Sequence, residues 1–182
     1  MLGDLIDDAL DIGSLEAQKM PIRPEKTDLV ELLKPLVERF HGPALVNEVT
    51  IDVQIDPGID TTVFVDKGLL RRVIGNLLTN ALKYAPPKST ILVCFGAAQN
   101  QRVFIFSISD EGPGIPPEEQ SMIFDKYAQA KRYAARQERP GRGLGLTFSK
   151  MAIEAHNGTI SVHSTPGKGT TFTVAIPYAD AS

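Results

Sequence analysis

Three residues at helical spacing open the chemical reading of this chain: Asn76, Asn80 and Lys83 stand at i, i+4 and i+7. On an α-helix they share one face over about 10 Å. Asparagine is among the poorer helix formers, so two of them one turn apart is a local penalty. An oxygen-ligated Mg²⁺ would explain it, because amide oxygens can ligate Mg²⁺ while phosphates supply the negative charge. Lys83 would then reach a phosphate as a point charge. Two solvated asparagines on an exposed face explain the same pattern. A second group, Asp110-Glu111-Gly112-Pro113-Gly114-Ile115, follows directly on a strand-like run. A carboxylate at a strand end can accept a hydrogen bond from an exocyclic amine such as adenine's, and glycine lets backbone approach a flat ring. An ordinary turn has the same composition. A third group, Gly141-Arg142-Gly143-Leu144-Gly145-Leu146, precedes a helical pattern. Backbone N–H groups exposed there, with the helix dipole behind them, suit a phosphate. The run does not fit G-x-G-x-x-G, since Leu146 stands in place of the last glycine, and no stretch fits the P-loop pattern. By itself Gly167-Lys168-Gly169-Thr170 reads as a tight hairpin.

These groups need elements to hold them. Leu69, Leu70, Val73, Ile74, Leu77, Leu78 and Ala81 form a wide apolar stripe on a helix capped by Asp66 and stopped by Pro86-Pro87. An earlier stripe, Leu29, Leu32, Leu33, Leu36, Val37 and Phe40, lies behind a Thr27-Asp28 cap, and Pro35 within it is expected to kink or locally unwind the helix. Strands are expected over 49–55, 90–95, 103–109, 159–163 and 170–176, with Asp56-Pro57-Gly58 and Pro166-Gly167-Lys168-Gly169 as turns. A last helix runs over 144–156, and the region 110–142 reads as loop. Helices set apart from hairpin-linked strands predict an α+β fold, a two-layer α/β sandwich. Its mixed, mostly antiparallel sheet is covered by helices on one face. Residues 1–19 carry their own amphipathic pattern (Leu2, Leu5, Ile6, Ala9, Leu10), ended by Met20-Pro21-Ile22-Arg23-Pro24. That helix has nothing of its own to bury against.

Composition narrows the classes. A net charge of −3 gives no field that would favour nucleic acid or an anionic membrane. No apolar run approaches the ~20 residues of a membrane span, and the start lacks a signal-peptide pattern. The only cysteine, Cys94, rules out an internal disulfide, which suits a reducing cytoplasm, and is expected to be buried packing. His41, His156 and His163 are scattered and form no cluster at metal-ligand spacing.

Taken in order, Asn76-Leu-Leu-Thr-Asn80-Ala-Leu-Lys83-Tyr84, Asp110-Glu-Gly112-Pro-Gly114-Ile115, Ile123-Phe124, Gly141–Leu146 and Gly167–Phe172 closely resemble the nucleotide-binding boxes of sensor histidine kinases. The likeness extends over about residues 20–177. It implies an ATP-binding catalytic domain at 20–182, with ATP between the Asn helix and the loop 110–142, part of which is an ATP lid. By that resemblance Asn76 and Asn80 hold Mg²⁺, Lys83 touches phosphate, Tyr84 packs near the base and Asp110 reads the adenine amine. Gly112, Gly114, Ile115, Tyr127, Gly141, Gly143, Leu144, Gly145, Leu146 and Thr170 complete the nucleotide site, and Asn80, Lys83 and Arg142 are the residues implied to assist transfer. Residues 1–19 look like the end of the family's dimerisation and phosphoacceptor helical hairpin, whose histidine-bearing helix is absent from this sequence. Neither His41 nor His156-Asn157-Gly158 stands in a phosphoacceptor context, so the fragment is not expected to autophosphorylate alone; with most of the hairpin missing, it is not expected to form a stable dimer either.

The partners so implied are a dimerisation and phosphoacceptor domain of the same or a partner kinase and a response regulator, with no nucleic acid and no membrane segment in this chain. In the related gyrase and mismatch-repair ATPases a Glu four residues before the Mg²⁺-binding Asn activates water. Asn76 occupies that position, which suits transfer to a protein nucleophile better than hydrolysis. The lid, 125–142, offers Lys126, Lys131, Arg132, Arg136, Arg139 and Arg142, although Gln129 stands where many members of that family place an Arg. The competing readings are a pseudokinase that docks proteins, which would be marked by decay of the Asn pair or glycine loop, and an anti-sigma-type serine kinase, which lacks the hairpin.

Overall fold

The computed structural model describes residues 22–98, 102–125 and 144–178. The expected helix at 1–19, most of the lid and the Gly141–Gly143 stretch lie outside them.

The described elements run β1 (Glu25–Asp28), α1 (Leu29–Val46), β2 (Thr50–Ile55), β3 (Thr62–Val65), α2 (Lys67–Tyr84), β4 (Thr90–Ala98), β5 (Val103–Asp110), α3 (Pro117–Gln120), α4 (Gly145–Ala155), β6 (Thr159–Thr165) and β7 (Gly169–Pro177). The main sheet has five strands in the order β2-β4-β5-β7-β6. Its β2–β4 pair is parallel and the other three pairs are antiparallel. β1 and β3 pair separately. The expected α+β sandwich is therefore the architecture found.

Strand alternation divides the sheet into two unlike faces. Ile91, Val93 and Phe95 of β4, Phe104, Phe106 and Ile108 of β5, and Phe172, Val174 and Ile176 of β7 are buried, and they form one core with Leu70, Ile74, Leu77 and Leu78 of α2 and Phe148 and Ile153 of α4. Burying each such side chain contributes about 1.5–3 kcal/mol. The opposite face carries Thr90, Leu92, Ser107, Ser109, Thr171 and Thr173, all half-buried. Cys94 sits on this side and not in the core. Burial pushes its thiol pKa up; the Ser107 hydrogen bond opposes this, and the Asp56 and Asp52 carboxylates reinforce it.

Both long helices begin as their sequences require. Asp28 accepts from Val30 N–H at 2.9 Å and Glu31 N–H at 3.1 Å, and Asp66 accepts from Gly68 and Leu69 at 3.0 and 3.1 Å. α1 does not unwind at Pro35, one of the two outcomes expected there, for it is helical through Pro35 and Pro43 to Val46. Pro35 and Glu31 are both exposed, so water can satisfy the carbonyl that lacks its helical donor. The four-residue strands β1 and β3 and the four-residue helix α3 were not legible, being too short for a period to register. His156 ties α4 to the start of α2. Its Nε2 accepts the Asp66 N–H at 2.8 Å, which leaves Nδ1–H to donate to the Ala152 carbonyl at 2.6 Å.

Candidate functional site

α2 sets the first wall of the site. Its stripe from Leu69 to Ala81 is buried, which fixes the rotation of the helix and turns Asn76, Asn80 and Lys83 away from the core. Asn76 and Asn80 are half-buried and Lys83 is exposed. The Asn76 amide is already oriented, since its Nδ2–H donates to the Gly145 carbonyl at 3.2 Å. That bond leaves the amide oxygen to face other groups. It also seats the first residue of α4 against α2, where a Cβ on Gly145 would meet Asn76 Cγ at 3.3 Å. Lys83 Nζ lies 4.9 Å from the Tyr84 ring centroid, a cation–π distance.

The second wall begins at the end of β5. Asp110 is 8% exposed, and its Oδ1 accepts from Gly112 N–H at 2.8 Å. Burial raises its pKa above the ordinary 3.8, with the N–H groups of Gly112 and Thr170 pulling the other way. The chain then passes close beneath the end of α2. A Cβ at Gly112 would stand 2.6 Å from Asp110 Oδ1 and 2.8 Å from the Tyr84 carbonyl oxygen, so only glycine fits unless α2 or the carboxylate moves. Gly169, at φ +99°, lies directly against the Asp110 carbonyl, where any side chain would collide with backbone.

Behind this loop stands the β6–β7 hairpin, joined to it by hydrogen bonds. Ser164 is 8% exposed; its Oγ accepts from Ile115 N–H at 2.8 Å and donates to the Gly169 carbonyl at 2.7 Å, with Thr170 Oγ1 3.0 Å away. Gln120 Nε2 donates to the carbonyls of Ile115 and Ser164, each at 2.8 Å. Gly167 N–H donates to the Pro113 carbonyl at 2.8 Å. The glycine hairpin thus buttresses the Asp110 loop.

α4 supplies the third wall. Its cap residue, Leu144, offers no side-chain acceptor and its first turn has no acidic residue, whereas α1 and α2 are each capped by an aspartate. Leu144 therefore gives the first N–H groups of α4 no side-chain cap of its own, and the dipole there favours an anion. Leu144 and Leu146 are themselves buried at 6% exposure and anchor this turn in the core.

The structure thus brings Asn76 to Gly145, and Tyr84, Asp110, Gly112, Gly114, Ile115 and Thr170 to one loop cluster. Tyr127, Gly141, Arg142 and Gly143 lie outside the described residues. Sequence reasoning passed over Ser164 and Gln120 and gave Glu111 no role of its own. Nothing in their types signals a role, because each acts through a fold-dependent contact. The Glu111 carboxylate accepts from Thr90 N–H at 2.9 Å, next to the Leu92↔Ser109 pair, and closes the β4–β5 ladder where the backbone leaves it. A groove of about 560 Å³ opens on the helix-free face, bordered by Asp52, Leu92, His163 and Lys168. None of Asn76, Asn80 or Lys83 lines it, and it is the solvated side of the sheet.

Known proteins resemble this chain in sequence and in fold. Residues 65–180 match the family of histidine kinase-, DNA gyrase B-, and HSP90-like ATPases. The chain is 34% identical over 172 residues to the sensor histidine kinase TmoS of Ectopseudomonas mendocina, covering 94% of this chain and 17% of TmoS. It is 35% identical over 177 residues to the circadian input-output histidine kinase CikA of Synechococcus elongatus, covering 96% of this chain and 23% of CikA. The solved structure of full-length ShkA in complex with AMPPNP superposes with a TM-score of 0.85 at 26% identity, covering 100% of this chain and 36% of ShkA. This chain therefore spans less than a quarter of TmoS and CikA. It belongs to the histidine kinase-, DNA gyrase B- and HSP90-like ATPase family, as an ATP-binding domain of the sensor histidine kinase type.

Proposed function

We propose that this domain holds Mg·ATP against α2 and presents the γ-phosphate to a histidine on a dimerisation and phosphoacceptor domain, for relay to a response regulator. The observation that carries this is the Asn76–Gly145 hydrogen bond. One contact orients an amide oxygen and sets the amino-terminal end of α4 beside it, so a cation-ligating group and a helix end suited to phosphate converge.

The residues fit a magnesium nucleotide. Among the described residues there is no group of three or more His, Cys, Asp or Glu able to hold a metal ion. A cation held by Asn76 and Asn80 would take its remaining ligands from phosphate oxygens and water, as Mg²⁺ commonly does. Lys83 would neutralise phosphate charge, and Asp110 would accept from the adenine amine between Gly112 and Tyr84. ATP when bound supplies a phosphoryl group whose bond to the β-phosphate oxygen breaks as an imidazole nitrogen attacks phosphorus. The protein's part is positioning and charge neutralisation, with Arg142 and Tyr127 assigned to the lid side and residues 1–19 to the end of the helical hairpin. No helix among the described residues is long and apolar enough to cross a membrane.

The test is calorimetric titration of AMPPNP with and without Mg²⁺, on the wild-type chain, Asn76→Ala and Asn80→Asp. Binding should require Mg²⁺, and each variant should weaken it by about tenfold or more, the worth of one lost ligand contact. Phosphotransfer to a supplied hairpin domain should follow the same order. A folded domain that binds no nucleotide at millimolar concentration would refute the proposal, and Mg²⁺-independent binding would refute the roles given to Asn76 and Asn80.

A further inference from the structure

β2 is an edge strand: it pairs with β4 on one side, and among the described residues no strand lies on the other. Thr50 and Asp56 send their N–H groups inward, to the carbonyls of Ser89 and Phe95 at 3.0 and 2.9 Å. Strand alternation then turns the N–H and C=O groups of Ile51, Val53 and Ile55 outward. An exposed edge of this kind is a template for another strand, and proteins usually blunt it with lysine, proline or a bulge. None of these stands in β2.

The side chains along this edge are unusual in two respects. Val53 and Ile55 are 41% and 45% exposed on the helix side, and Leu45 and Val46, just before the strand, are 79% and 83% exposed. Five of the six exposed large apolar side chains among the described residues fall within 45–64. The same stretch holds Glu48, Asp52, Asp56 and Asp60 and no Lys, Arg or His. Asp52 and Asp56 lie on the helix-free side, opposite Val53 and Ile55.

We propose that the free edge of β2 docks an extended protein segment in which basic and apolar side chains alternate. The three outward residues supply main-chain bonds, as in strand addition generally. Apolar side chains of the incoming strand lie beside Val53 and Ile55, and Lys or Arg on alternate positions lie beside Asp52 and Asp56. The same charges disfavour a second copy of this chain. Antiparallel self-pairing centred on Val53 places the aspartates of both strands on one face of a single ribbon, where like charges repel. The acidic residues therefore select a cationic partner and deter self-association. This inference is independent of the nucleotide site.

The probe is a labelled synthetic peptide, Lys-Val-Lys-Val-Arg-Ile-Lys, followed by fluorescence anisotropy on the full chain, with amide exchange read by NMR. Saturable binding should slow exchange at the Ile51, Val53 and Ile55 amides. Val53→Pro removes one outward N–H and leaves the β4 ladder intact, so affinity should fall about tenfold while AMPPNP binding is unchanged. If Val53→Pro does not fold, Val53→Lys should give the same loss through charge. Three results would each overturn the proposal: no binding at millimolar peptide, equal binding of a peptide with Glu in place of Lys and Arg, or equal binding to a folded β2 variant.

Discussion

Replacing Ser164 with alanine tests whether the β6–β7 hairpin holds the Asp110 loop in place. The hydroxyl accepts from Ile115 N–H and donates to the Gly169 carbonyl, both at 2.8 Å or less, in a site 8% exposed. Alanine removes this hydroxyl partner from both backbone groups. A buried polar group left unpaired costs about 1–3 kcal/mol, and the Ile115 end is only part-buried, so we expect roughly 2–3 kcal/mol in all. For a domain of this size that lowers Tm by roughly 5–10 °C. Urea unfolding of Ser164→Ala should be compared with Ser161→Ala, which removes an exposed hydroxyl from the same strand and should stay within about 0.5 kcal/mol of wild type. Binding of AMPPNP should weaken in Ser164→Ala more than its stability loss alone accounts for, because Asp110 and Gly169 share backbone contact. If Ser164→Ala and Ser161→Ala unfold at the same denaturant concentration, the hairpin is not held by this hydroxyl and the buttress argument fails.

Two titrating residues make pH-dependent predictions of opposite sign. Burial raises the Asp110 pKa in the folded state above 3.8, so its contribution favours folding below 3.8 and is lost as pH rises through the folded value. Asp110→Asn should gain stability relative to wild type as pH rises from about 3 to about 7 in urea melts, and should bind ATP more weakly; a difference constant across that range would refute the sign. Asp28 behaves the other way. Burial alone would raise its pKa, but bonds from Glu31 N–H, the Thr61 hydroxyl and Val30 N–H outweigh it and lower the pKa below 3.8. Its stabilisation is therefore present above 3.8 and lost as pH falls through the folded value. Asp28→Ala should cost about 1–2 kcal/mol at neutral pH, as loss of a helix cap does, and less in acid, by the same melts.

Much of this domain was legible because local rules and tertiary outcome agree. The 3.6-residue stripe of α2 reads directly as its buried face, from Leu69 to Ala81, and so fixes that Asn76, Asn80 and Lys83 face away from the core. Asp28 and Asp66 cap where their positions before apolar stripes require it. The period-two runs of β4, β5 and β7 predict their inner faces. These features depend on residues within one or two turns of each other, and hydrophobic burial enforces them whatever the neighbours are.

The rest needed the fold. Pro35 reads as a kink or a local unwinding, and only its exposed position in the fold shows that water can satisfy the freed carbonyl while the helix continues. Cys94 reads as core until strand parity places it on the helix-free face. The contacts that shape the candidate site span long separations: Asn76 with Gly145, Ile115 with Ser164, Asp66 with His156. A serine, a glutamine or a histidine carries no mark of such a role, since its partner is a backbone group that only chain topology delivers. Sequence determined which residues could do chemistry and which faces are buried; tertiary structure decided which of them meet, because pairing across 49 to 90 residues is set by the order of strands and not by local preference.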